Sequence, residues 1–168
     1  MDYLNEIWNR AKKLKKKIVL PESYDPRVLK AADIIKKGRL MELTLIGNEE
    51  KIRKLAAENQ CNIEGINIED PETSGKITSF AEYIFMKRKA KGMTLDEAKF
   101  LLSNNPLYYG AMLVQKNEVD GMVGGCQHPT ADTIRSALYS VGLEHDSTII
   151  SSFFVMILPN KAVGEKGV

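Results

Sequence analysis

Apolar positions along this chain follow two alternating rhythms. Residues 2–16 space Leu4, Ile7, Trp8, Ala11 and Leu14 at helical intervals, so they share one face of an amphipathic helix. KIVLPE follows, an apolar run too short for a helix, and it reads as a strand stopped by Pro21. Asp25-Pro26 then predicts a helix start, with Asp25 as N-cap and Pro26 at the first helical position. Val28, Leu29, Ala32, Ile34 and Ile35 supply its buried side, and Gly38 is expected to end it.

The same alternation continues to the end of the chain. MELTLIG (41–47) reads as a second strand, followed by a helix from Asn48 to about Asn59. INIED (66–70) is a weaker third strand, and helical patterns cover 79–91, 94–103 and 106–116. Thr94 with Glu97 forms a capping-box pattern at the second of these. VDGMVGG (119–125) reads as a fourth strand before a helix from Thr130 to about Val141. Strands alternating with helices predict an α/β class, a three-layer and mostly parallel sheet with helices on both faces.

The last segment departs from this pattern. IISSFFVMILP (149–159) reads as a strand apolar on both sides, which expects covering neighbours, and only KAVGEKGV follows Asn160. The expectation is therefore a truncated chain, with a first α/β domain over 1–146 and the first strand of an incomplete second domain over 147–168.

Composition narrows the function classes. At 168 residues, 43% apolar and 27% charged, the chain suits one ordinary soluble domain or part of a larger one. A net charge of +2 is too small to imply a nucleic-acid partner. The KKLKKK run (12–17) reads as lysines closing the first helix, where they complement its C-terminal partial charge. No apolar run approaches the ~18 residues of a membrane span, and the acidic, amphipathic start does not read as a signal peptide. Cys61 and Cys126 show no metal-ligand spacing, and the expected location is a reducing cytoplasm.

The candidate chemistry lies in GGCQHPTADTIRSAL (124–138). In an α/β sheet, ligands sit beyond the carboxyl ends of strands, and 124–130 is such a strand-to-helix loop. Its glycines let backbone N–H groups approach an anion, and the following helix N-terminus favours one. Thr130 can cap that helix or offer its hydroxyl to the anion. Arg135 sits near the positive end of the helix dipole, which suits a cation only if it faces a phosphate. The other reading pairs it with Asp132 at i, i+3. Two further groups lie near the same end. MKRKAKG (86–92) is either a solvated helix end or a phosphate contact, and in PESYDPR (21–27) Glu22 and Arg27 flank the first strand's carboxyl end.

Taken together, four stretches resemble the phosphate acetyl/butyryl transferase family: 19–32, 87–98, 108–138 and 151–160. The resemblance implies acyl transfer between coenzyme A and inorganic phosphate, acetyl-CoA plus phosphate giving acetyl phosphate plus CoA. It implies a two-domain fold like that of the isocitrate/isopropylmalate dehydrogenases, usually a homodimer, with CoA as substrate, no metal and no covalent intermediate. Carried over by position, Arg135 and Thr130 are the catalytic candidates, and Arg88 and Arg135 are the CoA-binding ones. Gly125, Cys126, His128, Pro129 and Thr130 form the substrate phosphate loop. His128 is either a structural hydrogen-bonding residue or a substrate contact, and nothing marks Cys126 as a nucleophile. Pro129 replaces the first hydroxyl residue of the family's pair, removing one hydroxyl and one N–H. The family's remaining serine, arginine and aspartate are expected in a second half, so this chain alone should bind weakly and not turn over. A butyryl-transferring enzyme and a non-catalytic binding or interaction module are the other readings. A dehydrogenase of similar fold would want a metal-binding carboxylate cluster.

Overall fold

The computed structural model describes residues 3–158. Helix α1 is Tyr3–Leu14 and strand β1 is Lys17–Leu20. Helix α2 is Pro26–Gly38, and the Asp25 carboxylate accepts from the Arg27 N–H at 2.8 Å. That bond satisfies one orphan donor of the first turn, where proline forfeits no helical bond. The left-handed residue that ends α2 is Arg39, with φ of 50°, rather than Gly38. Gly38 provides space instead, since a Cβ there would meet Leu40 Cγ at 3.0 Å.

Strand β2 is Glu42–Ile46, helix α3 Glu49–Glu58 and strand β3 Asn67–Glu69. Helix α4 is Ile77–Arg88, prolonged by a 3₁₀ turn over Lys89–Lys91. Helices α5 (Leu95–Asn104) and α6 (Pro106–Gln115) follow, then strand β4 (Gly121–Met122) and helix α7 (Thr130–Ser140). The capping box forms as its spacing predicts. Glu97 N–H donates to Thr94 Oγ1 at 3.2 Å, and Thr94 N–H donates to Glu97 Oε2 at 2.7 Å.

All four strands are parallel, in the order β3-β2-β1-β4. Alternation along them sends side chains to two cores. Leu20, Leu43 and Leu45 meet Leu29 and Ala32 of α2 and Ile52 and Ala56 of α3. Val19 and Ile46 meet α4, α5 and the apolar α6. Residues 107–113 of α6 are all buried, which explains why LYYGAML has no polar side. Gly110 lets α6 lie against the sheet, because a Cβ would fall 3.0 Å from Met122 Sδ and 3.2 Å from Ile46 Cδ1. The fold is thus the expected α/β sandwich.

Helix α1 forms as its spacing predicts, with Leu4, Ile7, Trp8 and Leu14 exposed. One expectation about the C-terminal end is corrected. Residues 149–158 form no strand, and Phe153 and Phe154 are 87% and 92% exposed. A strand needs a neighbour for its N–H and C=O groups, and none lies beside this run among the described residues. The rest of the expected strand and its turn, 159–168, lie outside the described residues.

Candidate functional site

The carboxyl ends of the strands are organised by the segment that leaves β1. Ser23 is buried, donates to Leu20 C=O at 2.9 Å and accepts from Ile46 N–H at 2.8 Å, which ties β1 to β2. Tyr24 Oη accepts from Asn48 N–H at 2.8 Å, at the start of α3. Between Pro21 and Ser23, Glu22 turns the other way and is only 3% exposed.

Glu22 is the anion of the glycine-rich loop. Its Oε2 accepts from the N–H groups of Gly125 at 2.7 Å and Cys126 at 2.8 Å. Its Oε1 accepts from Gln127 N–H at 2.8 Å and His128 N–H at 3.0 Å. His128 Nδ1 lies 2.8 Å from Oε1, and because a carboxylate only accepts, that nitrogen carries the proton. Burial alone would raise the Glu22 pKa, but the His128 imidazole and the loop amides outweigh it and hold the carboxyl well below the usual range.

The loop therefore has the expected anion-holding geometry with an unexpected occupant. Gly125 takes φ of 104°, and a Cβ on Gly124 would meet Leu107 Cδ2 at 2.9 Å, so both glycines are required. The four loop amides from Gly125 to His128 are all engaged by the chain itself. Arg27 adds a brace: its fork grips Asp25 (Nη2 to Oδ2, 2.6 Å), and Nη2 also donates to Cys126 C=O at 2.9 Å. The guanidinium holds the Asp25 carboxyl down at about 2. Burial and the neighbouring Glu22 charge push the Cys126 thiol up to about 11, so it stays protonated and unreactive.

Beyond the loop, Pro129 is the N-cap of α7 and makes no side-chain capping bond. Thr130 is the first helical residue and exposed, so it does not cap the helix, contrary to one of its two expected uses. Arg135 Nη1 donates to Asp132 Oδ1 at 2.7 Å, which realises the i, i+3 pairing. That ion pair and a contact with the Tyr108 hydroxyl occupy part of its five-donor fork.

A cleft of about 720 Å³ takes the remainder. Arg88, Lys91 and Arg135 line it, with Met93, Tyr108 and Tyr139 among its walls. Arg88 ends α4 with its guanidinium 4.0 Å over the Tyr139 ring, and its Nε is buried without a partner. Lys87 beside it donates to Ser140 C=O at 2.9 Å and Val141 C=O at 3.2 Å, closing the end of α7. The MKRKAKG run thus splits into a structural lysine and cleft-facing cations. The structure brings the two candidate CoA-binding arginines together and leaves Gly125, Cys126, His128, Pro129 and Thr130 outside the cleft walls. A second cleft, about 450 Å³, lies at the opposite end of the sheet near Lys12, Lys15, Lys36 and Arg39.

Residues 2–164 match the phosphate acetyl/butaryl transferase family. The chain belongs to that family. Phosphate acetyltransferase of Acetivibrio thermocellus is 44% identical over 99% of this chain and 49% of its own length. That of Thermoanaerobacterium thermosaccharolyticum is 44% identical over 100% of this chain and 50% of its own. Among solved structures, a phosphotransacetylase from Streptococcus pyogenes superposes with a TM-score of 0.74 at 33% identity, covering 81% of this chain and 41% of that one. One from Staphylococcus aureus gives 0.75 at 31% identity, over 87% and 45%. This family member spans about half the length of the curated relatives it matches.

Sequence reasoning missed two partners here. Glu22 stood out as lying on the ligand side, but its pairing across more than 100 residues has no local signal. Tyr139 gave no signal at all, since an aromatic at helical spacing reads as core.

Proposed function

We propose that this chain is the coenzyme- and phosphate-facing half of a phosphate acetyltransferase. The observation that carries the reading is the convergence of Arg88 and Arg135, with Lys91, on one cleft. In that reaction the CoA sulfur bonds to the carbonyl carbon of acetyl phosphate while the carbon–oxygen bond to phosphate breaks. The bonding pair leaves with phosphate, and the thiol proton passes to a carboxylate base. We assign that base and the oxyanion donors to polypeptide corresponding to the relatives' other half.

This chain supplies charge and orientation. Arg88 and Lys91 meet the phosphates of CoA, and Arg135 faces the acyl phosphate, while Thr130, outside the cleft walls, is left without a catalytic contact in this chain. Because Glu22 engages the loop amides, substrate phosphate is held by side chains rather than by the nest, and Pro129 supplies no donor there. The complete enzyme is proposed as a cytoplasmic homodimer of acetate metabolism, with small-molecule substrates, no nucleic-acid or membrane partner and no resident cofactor. The domain division, 1–146 and 147–168, belongs to the same proposal.

Calorimetric titration with CoA tests this reading. Saturable, weak binding that Arg88→Ala abolishes is expected, with no CoA-dependent acetyl phosphate formation by the 168 residues alone. Turnover by the isolated chain would contradict the division of labour, and a panel of acyl-CoA donors separates acetyl from butyryl transfer. The exposed run 149–157 favours a second reading, a non-catalytic interaction module. That reading expects a folded, monodisperse chain whose CoA binding is unrelated to any turnover when the other half is supplied.

A further inference from the structure

Arg88 is a cation with no acceptor. It forms no hydrogen bond or ion pair among the described residues, and its Nε is shut off from solvent. A guanidinium left this way usually sweeps through many rotamers, and a ligand must then order it at an entropic cost. Here one contact limits it: the Tyr139 ring, whose centroid lies 4.0 Å from Arg88 Cζ. That distance and a partly desolvated setting are those of a substantial cation–π interaction.

The ring is itself fixed. Tyr139 meets Tyr108 edge-on, with centroids 5.8 Å apart at 64°, and Tyr108 is 3% exposed. Lys87, the residue before Arg88, holds the adjacent end of α7 through Ser140 C=O and Val141 C=O. Helices α4 and α7 are thereby tied at the point where Arg88 crosses between them. A guanidinium seated over a ring that Tyr108 supports keeps its terminal nitrogens for whatever enters the cleft.

We infer that Tyr139 is a positioning residue, which holds the Arg88 guanidinium over its ring so that it meets a phosphate of coenzyme A already placed. The inference rests on the CoA reading of the cleft. Tyr139 touches no reacting atom and acts only through Arg88. Leucine keeps an apolar side chain but removes the ring and its negative face, while phenylalanine keeps the ring, its face and the contact with Tyr108.

Two measurements on the full chain test it. In ¹⁵N-labelled protein without ligand, the Arg88 Nε–H resonance is expected upfield through the ring current, kept in Tyr139→Phe and lost in Tyr139→Leu. A random-coil position in the unsubstituted chain overturns the inference. In CoA titrations, Tyr139→Leu is expected to weaken binding about three- to thirtyfold, the range of a partly desolvated cation–π contact. Tyr139→Phe should stay within about twofold and act as the folded control if the leucine variant is unstable. In an Arg88→Ala background, Tyr139→Leu should add nothing. Equal losses for phenylalanine and leucine, or a leucine effect that survives Arg88→Ala, overturn it. Unchanged affinity in Arg88→Ala overturns the CoA reading of Arg88 instead, whatever the ring-current result. Absence of CoA binding by the unsubstituted chain overturns that reading and the positioning role with it, while the ring-current shift still reports the Arg88–Tyr139 contact.

Discussion

The nest at 125–128 and the cleft between α4 and α7 are both arranged to hold negative charge, yet they are in opposite conditions. The nest has its anion: four amides and an imidazole surround Glu22, which water scarcely reaches. The cleft is not so filled: Asp96 and Glu97 also line it, but Arg88 makes no hydrogen bond or ion pair among the described residues, and Arg135 is paired with Asp132 alone among the carboxylates. Preformed backbone amides hold a carboxylate best when it never leaves, and such a site becomes a rivet between β1 and α7. Side-chain cations on a cleft wall keep their donors for something that comes and goes. The loop that looked like the binding element is therefore filled by the chain's own carboxylate, and the proposed binding falls to the helix ends beside it.

Breaking the rivet should have the largest effect. Glu22→Ala leaves four partly buried amides and His128 without their acceptor, and a loss of about 3–5 kcal/mol in denaturant unfolding is expected. A loss under about 1 kcal/mol would show that the amides find water or a ligand anion instead. The acid limb of stability sharpens the same point. The folded Glu22 pKa is depressed, so its contribution is fully present above the ordinary value of 4.5 and drains as pH falls below it. Thermal melts from pH 6 down to about 2 should show a steeper acid loss in the unsubstituted chain than in Glu22→Gln.

Arg88→Ala probes the other side of the comparison. Unfolding should change by about 0.5–1 kcal/mol, the loss of the contact with Tyr139, while CoA affinity falls at least about tenfold, as for a lost charge-assisted bond. Matching losses in both would make Arg88 structural, and the contrast with the nest would collapse. Pro129→Ser should matter least. A serine cap on α7 contributes about 0.5–2 kcal/mol, against about 0.4–1 kcal/mol lost when proline no longer restricts the unfolded chain. Near-cancellation is expected in chemical denaturation, and a loss above 1 kcal/mol would mean that the loop needs proline's fixed φ.

Local rules made much of the fold legible. Asp25-Pro26 and Thr94-x-x-Glu97 located helix starts because caps are contacts within a few residues. The apolar runs gave the parallel α/β class for the same reason. Reading failed where the decisive partner was distant or missing. The stripe on α1 and the run 149–158 have clear periodicity, but periodicity says which face wants burial, not whether anything covers it. At the site, Arg88 and Arg135 were legible as cations at awkward places, whereas the Glu22 carboxylate in the nest depended on a pairing 103 residues away. Its chemistry was visible and its address was not.

Ligand anions are expected to meet the cleft and not the nest. The most direct measurement is a CoA titration of the ¹⁵N-labelled chain, followed residue by residue. Saturable shifts at Arg88, Lys91, Arg135 and Tyr139, with the Gly125, Cys126, Gln127 and His128 amides unmoved, are expected. Saturable shifts of those four amides with Arg88 unmoved would contradict the claim.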